Sequence, residues 1–173
     1  MSASVFAYPT EAVYGLGCDP LDQTAVYQIL KLKQRPVEKG LILVAADINA
    51  LAKFADVLNP QWFDRLQQAW SDTQRAVTWV VPKTQACPDW ISGQHNSVAV
   101  RVSHHPLVKQ LAQTMPDSVM VSTSANPASL EPARSAAEVK HYFGEALYCV
   151  EGELGGLAQP SEIWDAQTFT RIR

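Results

Sequence analysis

Ser97-Val98-Ala99-Val100-Arg101-Val102-Ser103-His104-His105-Pro106 runs from an almost unbroken apolar segment into a proline that opens a helical pattern. An apolar run of this kind needs cover on both faces, which is how a strand inside a buried sheet reads. Beyond Pro106, the residues Leu107, Val108 and Leu111 recur at helical spacing, so strand gives way directly to helix. The same alternation extends in both directions, with residues 5–8, 41–46, 76–81, 119–121 and 147–150 reading as further strands. Asp22 is the expected N-cap of a helix carrying Ala25, Val26, Ile29, Leu30 and Lys33, which Pro36 stops. Pro60 opens another toward Trp70, with Trp62, Phe63, Leu66 and Ala69 on one face, and residues 135–143 form one more. Strands alternating with helices predict a single α/β domain over residues 1–173, built on a mixed, largely buried sheet.

The chain has 173 residues, the size of one domain, and 47% of them are apolar, enough for one substantial core. No apolar run approaches the ~18 residues needed to span a bilayer. Residues 1–8 lack the basic region and long apolar run of a secretory signal. Cys18, Cys87 and Cys149 lie far apart without a C-x-x-C pair, which suits structural, reduced thiols in a cytoplasmic protein. A net charge of −3 argues against bulk attraction to polyanions and leaves room for a local basic cleft.

Several segments could carry chemistry. Thr10 to Gly17 follows the first strand, and its glycines could serve either a tight turn or a loop approaching an anionic ligand. Between Lys31 and Lys39 stand four cations in nine residues, either a phosphate clamp or a solvated helix end. Ser122-Thr123-Ser124-Ala125-Asn126 leaves an apolar strand with hydroxyls and an amide, suiting either a polar turn or phosphate, ribose or carboxylate binding. Arg101 inside an apolar run calls for an anion, from the protein or from a substrate. His104 and His105 are adjacent, so they point apart in an extended segment and make a poor metal pair; capping or exposure is expected of them. Pro160 to Asp165 looks like a short strand presenting Ser161 near its start.

Taken together and in order, Tyr8-Pro9-Thr10-Glu11, Tyr14-Gly15-Leu16-Gly17, Lys33-Gln34-Arg35-Pro36, Val98-Ala99-Val100-Arg101, Ser122-Thr123-Ser124-Ala125-Asn126 and Pro160-Ser161-Glu162-Ile163 resemble the YrdC/TsaC family of threonylcarbamoyl-AMP synthases, in its single-domain bacterial form. The resemblance implies a twisted sheet of mixed parallel and antiparallel strands, flanked by helices, around a concave basic cavity. It implies formation of threonylcarbamoyl-adenylate and pyrophosphate from L-threonine, bicarbonate and ATP, with Mg2+ accompanying the ATP and no tightly bound cofactor. The product would serve threonylcarbamoyladenosine modification of tRNAs reading ANN codons, through TsaD-, TsaB- and TsaE-type proteins, with tRNA itself a candidate partner. By resemblance, the K-x-R and S-x-N tetrad falls on Lys33, Arg35, Ser124 and Asn126, which would hold the ATP phosphates and stabilise charge as pyrophosphate leaves. Lys39 and Thr78 match further nucleotide contacts. Arg101 matches the partner of the threonine carboxylate, Ser122 and Ser161 match hydroxyls that contact threonine, and Thr10 belongs to the first motif beside them.

Departures from the family are also legible. Its members begin with a helix ahead of the first strand. Here the first strand starts almost at Met1, so either the start is mis-called or truncated, or the helix is absent and an apolar sheet face is left for a homodimer or a partner protein to cover. Thr73-Gln74-Arg75-Ala76 replaces a W-P-G-P motif at the wall of the nucleotide pocket. Ala12 and Val44 stand where many members carry a threonine and a histidine. The competing readings are a module binding double-stranded RNA or tRNA, and a catalytically weakened paralogue.

Overall fold

Along Val119–Ser124, the valines alternate with Met120, Ser122 and Ser124, and this two-residue period gives the sheet two unlike faces. A computed structural model describes residues 4–173. Among them, eight strands form one sheet: β1 (Phe6–Pro9), β2 (Tyr14–Gly17), β3 (Ile42–Ala45), β4 (Val77–Pro82), β5 (Ser97–Val102), β6 (Val119–Ser124), β7 (Tyr148–Cys149) and β8 (Glu162–Asp165). Their spatial order is β7-β1-β2-β6-β3-β5-β4-β8. Pairs β1·β7, β3·β5 and β4·β8 are parallel, and the other four are antiparallel, so the sheet is mixed as expected. The helices are α1 (Gln23–Lys33), α2 (Ile48–Leu51), α3 (Phe63–Ser71), α4 (Asp89–Ser92), α5 (Pro106–Thr114) and α6 (Ala136–Phe143), with one 3-10 turn at Val37–Lys39.

One face carries Ala7, Leu16, Leu43, Ala45, Val77, Trp79, Val100, Val119 and Val121 into the main core, where α1 contributes Ala25, Val26 and Ile29 and α3 contributes Leu66 and Trp70. Full burial of a side chain such as Ile29 or Leu66 contributes about 1.5–3 kcal/mol. The opposite face is divided. α5 covers Phe6, Tyr8, Val44 and Met120 with Val108 and Ala112, while Ile42, Val80, Ala99, Ser122 and Ser124 are left to line a cavity. Register aligns four of these residues in one row across the sheet, Val80 beside Ala99, Ala99 beside Ile42, and Ile42 beside Ser122. Burial on both faces therefore holds only where α5 lies. Elsewhere the second face is the wall of a site.

The helix signals are met with shifts at the ends. The Asp22 carboxylate accepts from the Ala25 N–H, and α1 ends at Lys33 because Gln34 turns left-handed at φ 53°, two residues before Pro36. α3 begins at Phe63 rather than at Pro60. Pro106 opens α5 as expected, and the Ser135 hydroxyl caps α6. Thr10 to Gly17 proves to be a loop followed by a strand, since Tyr14–Gly17 pairs with both β1 and β6. Among the described residues, Phe6, Tyr8, Val44 and Met120 are all buried under α5. The three cysteines are free, and burial pushes the Cys18 and Cys87 thiols up, Cys87 to about 11, so neither is a ready nucleophile.

Gly15 and Gly17 serve packing within the sheet. A Cβ on Gly17 would lie 2.9 Å from Tyr8 Cε1 and 3.1 Å from Met120 Sδ, and one on Gly15 would lie 3.1 Å from Tyr8 Cζ. The Tyr8 ring therefore lies flat across β2, and only glycine leaves it room. Gly17→Ala should lower stability by about 1–3 kcal/mol in urea unfolding; an unchanged midpoint would mean that the ring can move aside.

Candidate active site

A cavity of about 800 Å³ opens on the free half of the second face. Its wall includes Lys33, Arg35 and Lys39 from the end of α1 and the turn after it, Ser122, Ser124 and Asn126 from β6 and beyond, and Arg101 from β5. Thr10, Glu11 and Ser161 add to the polar lining, while Ile42, Ile91, Val98, Ile163 and Ile172 supply apolar surface. Of the ten residues expected to form the site, nine line this cavity, the exception being Thr78.

The basic and hydroxyl motifs meet at Lys33. Its ammonium is buried at the end of α1, where Nζ donates to the carbonyls of Ser124 (2.5 Å) and Asn126 (3.1 Å) and to Asn126 Oδ1 (3.1 Å), with Ser124 Oγ at 3.4 Å. Ser124 Oγ in turn donates to Asn126 Oδ1 at 2.6 Å. Burial, then the neighbouring Arg35 charge, pulls the Lys33 ammonium down to about 8. Arg35 is half-buried; its Nε and Nη2 donate to the Gly40 carbonyl at 3.2 and 3.0 Å, which leaves Nη1 for a ligand. Lys39 is exposed on the rim.

Arg101 meets a protein carboxylate. Nη1 lies 2.7 Å from Glu11 Oε1, and both side chains are largely buried. Ser103 Oγ donates to the same Glu11 oxygen at 2.5 Å. Burial alone would raise the Glu11 carboxyl, but the Arg101 charge and hydrogen bonds from Arg101 and Ser103 override it, and the group falls from 4.5 to about 2. In the sequence Glu11 stands only within the first motif, and the lone arginine in an apolar strand is the signal that an anion faces it. The Thr10 hydroxyl donates to the Val13 carbonyl at 2.7 Å, closing the loop that presents Glu11. The backbone N–H groups of Gly155 and Leu157 donate to the carbonyls of Thr10 and Glu11, laying the coil of residues 151–160 beside that loop.

Ser122 and Ser161 each have a buried hydroxyl behind them. Tyr8 donates to Ser122 Oγ at 2.6 Å, and the Thr78 and Ser161 hydroxyls share a hydrogen bond of 2.8 Å. Thr78, expected as a nucleotide contact, is fully buried and does not line the cavity. Its inward side chain is shielded by Ser161, so it supports that residue instead. Arg173, not singled out from the sequence, lines the cavity and donates through Nη2 to the Ser161 carbonyl at 2.9 Å. In the segment that replaces W-P-G-P, Ala76 forms wall and Arg75 pairs with Glu162 at 2.7 Å. His105 occupies the N-cap position of α5 without a side-chain cap bond, its Nε2 meeting the Glu153 carbonyl, while His104 reaches the Trp70 carbonyl. Among the described residues no group of three His, Cys, Asp or Glu side chains could hold a metal ion, and no helix is long and apolar enough to cross a membrane.

Residues 2–173 match the Sua5/YciO/YrdC family, which carries the description "Telomere recombination". The chain belongs to this family. A relative from Acinetobacter baylyi, named threonylcarbamoyl-AMP synthase, is 49% identical over 173 residues, covering 98% of this chain and 90% of the relative. A relative of the same name from Pseudomonas aeruginosa is 49% identical over 170 residues, covering 98% and 89%. Among solved structures, Sua5 of P. abyssi complexed with L-threonine superposes with a TM-score of 0.84 at 28% identity, covering 97% of this chain and 48% of that one. This chain thus spans about half the length of that Sua5 chain. YciO of E. coli shares the fold, with a TM-score of 0.78 at 23% identity over 94% of this chain and 77% of its own.

The Glu11–Arg101 pair makes a pH prediction. The folded-state pKa of Glu11 lies below its ordinary 4.5, so its stabilisation is complete above pH 4.5 and is lost as pH falls toward about 2. At ~1.4 kcal/mol per pH unit the full loss amounts to about 3.5 kcal/mol, of which about 2 kcal/mol falls above pH 3. Urea unfolding between pH 7 and pH 3 should show this slope, and Glu11→Gln should flatten it.

Proposed function

We propose that this family member is a threonylcarbamoyl-AMP synthase that binds ATP and L-threonine side by side in the one cavity. The carrying observation is the convergence of Lys33, Arg35, Ser124 and Asn126 with Arg101, Ser122 and Ser161 around a single cavity. The name shared by relatives at 49% identity over nearly the whole chain supports the same reading.

The chemistry suits these groups. The amine of threonine takes up the carbon of bicarbonate, water leaves, and a carbamate forms. A carbamate oxygen then attacks the α-phosphorus of ATP, and the bond from that phosphorus to the bridging oxygen of the β-phosphate breaks, releasing pyrophosphate. No protein nucleophile is needed. The protein positions the two substrates and places positive charge where negative charge accumulates. In this reading Arg35 and Lys39 contact phosphate oxygens directly. Lys33 sets the Ser124–Asn126 turn and adds its charge to the leaving pyrophosphate. Arg101 keeps four of its five N–H donors beyond the contact with Glu11, enough for the fork that grips a substrate carboxylate.

Mg2+ is read as arriving with ATP. Among the described residues Glu11 is the one side-chain carboxylate on the cavity wall, and it is already paired with Arg101, so the phosphates themselves, with the Ser124 hydroxyl near them, would hold the ion. When bound it neutralises phosphate charge. The product is a mixed anhydride open to hydrolysis, so rapid transfer in the cytoplasm to a tRNA-modifying transferase of TsaD, TsaB and TsaE type is the proposed next step.

The test is ATP-dependent pyrophosphate release that requires both threonine and bicarbonate. Arg35→Ala should lower the rate roughly ten- to a hundred-fold, as expected for loss of a charged contact of ~1.5–3 kcal/mol, with melting unchanged. Lys33→Ala should lose as much and also melt earlier, because the oxygens of Ser124 and Asn126 lose their donor. Full activity in Arg35→Ala would remove the phosphate-clamp assignment. Arg101→Lys keeps the charge and loses the fork, so the KM for threonine should rise more than that for ATP; an equal rise in both would make Arg101 purely an internal ion-pair partner.

A further inference from the structure

Tyr8 lies outside the cavity wall, yet its phenol is fully buried and the Ser122 hydroxyl is its one recorded hydrogen-bond partner, at 2.6 Å. The ring reaches that position by crossing β2, from β1 to β6, over Gly15 and Gly17. Two glycines in one strand thus keep a corridor open between a buried phenol and a residue of the site. The proton arrangement follows from counting donors and acceptors. A phenol without exposure needs an acceptor for its proton. Ser122 Oγ is the one at hand, so Tyr8 donates and Ser122 accepts. Burial raises the Tyr8 phenol well above its ordinary value of 10, so the proton stays in place across the working pH range. Ser122 has one proton of its own, no acceptor for it among the described residues, and a side chain on the cavity wall.

The geometry points to Tyr8 as a positioning residue that turns the Ser122 proton away from the phenol and toward an oxygen acceptor of the bound amino acid. This assignment rests on the substrate reading above and adds to it the polarity of the subsite. With one of its two lone pairs engaged from behind and its proton free, Ser122 favours a carboxylate, carbamate or hydroxyl oxygen over an ammonium group, which would leave that proton unpaired. Hydrogen bonds in series also polarise one another, so the phenol strengthens the bond that Ser122 makes forward.

The experiment is a double-mutant cycle on the whole chain, with binding of L-threonine measured by calorimetry in the presence of a non-hydrolysable ATP analogue. Tyr8→Phe keeps the ring that fills the space above Gly15 and Gly17 and removes only the donor. It should weaken L-threonine about ten-fold, the scale of one lost hydrogen bond, while affinity for the ATP analogue stays within about two-fold. Ser122→Ala should weaken L-threonine as well, and adding Tyr8→Phe to it should cost nothing more. An effect of Tyr8→Phe that persists undiminished beside Ser122→Ala would overturn the assignment, as would equal weakening of both ligands or no weakening of either. A second readout uses the unmutated protein. The slowly exchanging Tyr8 hydroxyl proton should shift in NMR spectra on addition of L-threonine and not of the ATP analogue, and a resonance indifferent to L-threonine overturns the assignment. A wild-type chain that binds the ATP analogue but no L-threonine removes the substrate reading and this assignment together. Wild-type binding with an unaltered Tyr8→Phe overturns this assignment alone.

Discussion

The buried ammonium of Lys33 joins the last turn of α1 to the segment that leaves β6, and the geometry of the cavity depends on that junction. A cation removed from water is costly unless oxygens replace its hydration. Here they come from Ser124 and Asn126, two residues at the far end of a different strand. The requirement runs both ways. The lysine stays buried because the Ser124–Asn126 turn surrounds it, and the turn keeps its shape because one ammonium binds both of its carbonyls. Arg35 and Lys39 follow within six residues and inherit their placement from the same end of α1. The left-handed Gln34 and the Arg35–Gly40 contact then bend the chain round the cavity rim.

A second constraint is the division of the sheet's inner face. α5 seals the half bearing Phe6, Tyr8, Val44 and Met120, while the half bearing Ser122, Ile42, Ala99 and Val80 stays open. Because side chains alternate, a single strand such as β6 places valines in the main core and serines in the site without any irregularity of its backbone. The site is therefore built largely on strands, and the loop of residues 10–13, the end of α1 with the turn after it, and residues 126–132 add to the wall. Arg134 links the first of these loops to the coil of residues 151–160, donating to the carbonyls of Ala12 and Ala158.

Charge within the cavity is arranged in two zones. At one end Glu11 balances Arg101, so the pair presents a dipole and not a bare cation. At the other, Lys33 and Arg35 stand close enough for Arg35 to depress the lysine further, a strain that an incoming polyphosphate would relieve. The chain as a whole carries −3, so this concentration of cations is local and is assembled by folding.

Much of this architecture was legible in the sequence, because local chemistry determined it. The apolar runs marked six of the eight described strands, while Asp22, Pro106 and Ser135 marked helix starts through capping and proline geometry. The motif residues marked the cavity wall, nine of ten expected residues lining it. Three features could not be read that way, and each depends on contacts between residues distant in the chain. Tyr14–Gly17 is a strand only because β1 and β6 flank it, its glycines having little strand preference of their own. Thr78 left the cavity wall because a residue 83 positions later covers it. Glu11 became the partner of Arg101 because the sheet brings the loop after β1 next to β5. The sequence by itself determined which residues are apolar, which are charged and where helices begin. Only the tertiary structure decided which buried charge meets which oxygen, since pairing depends on distance in space and the chain records only order.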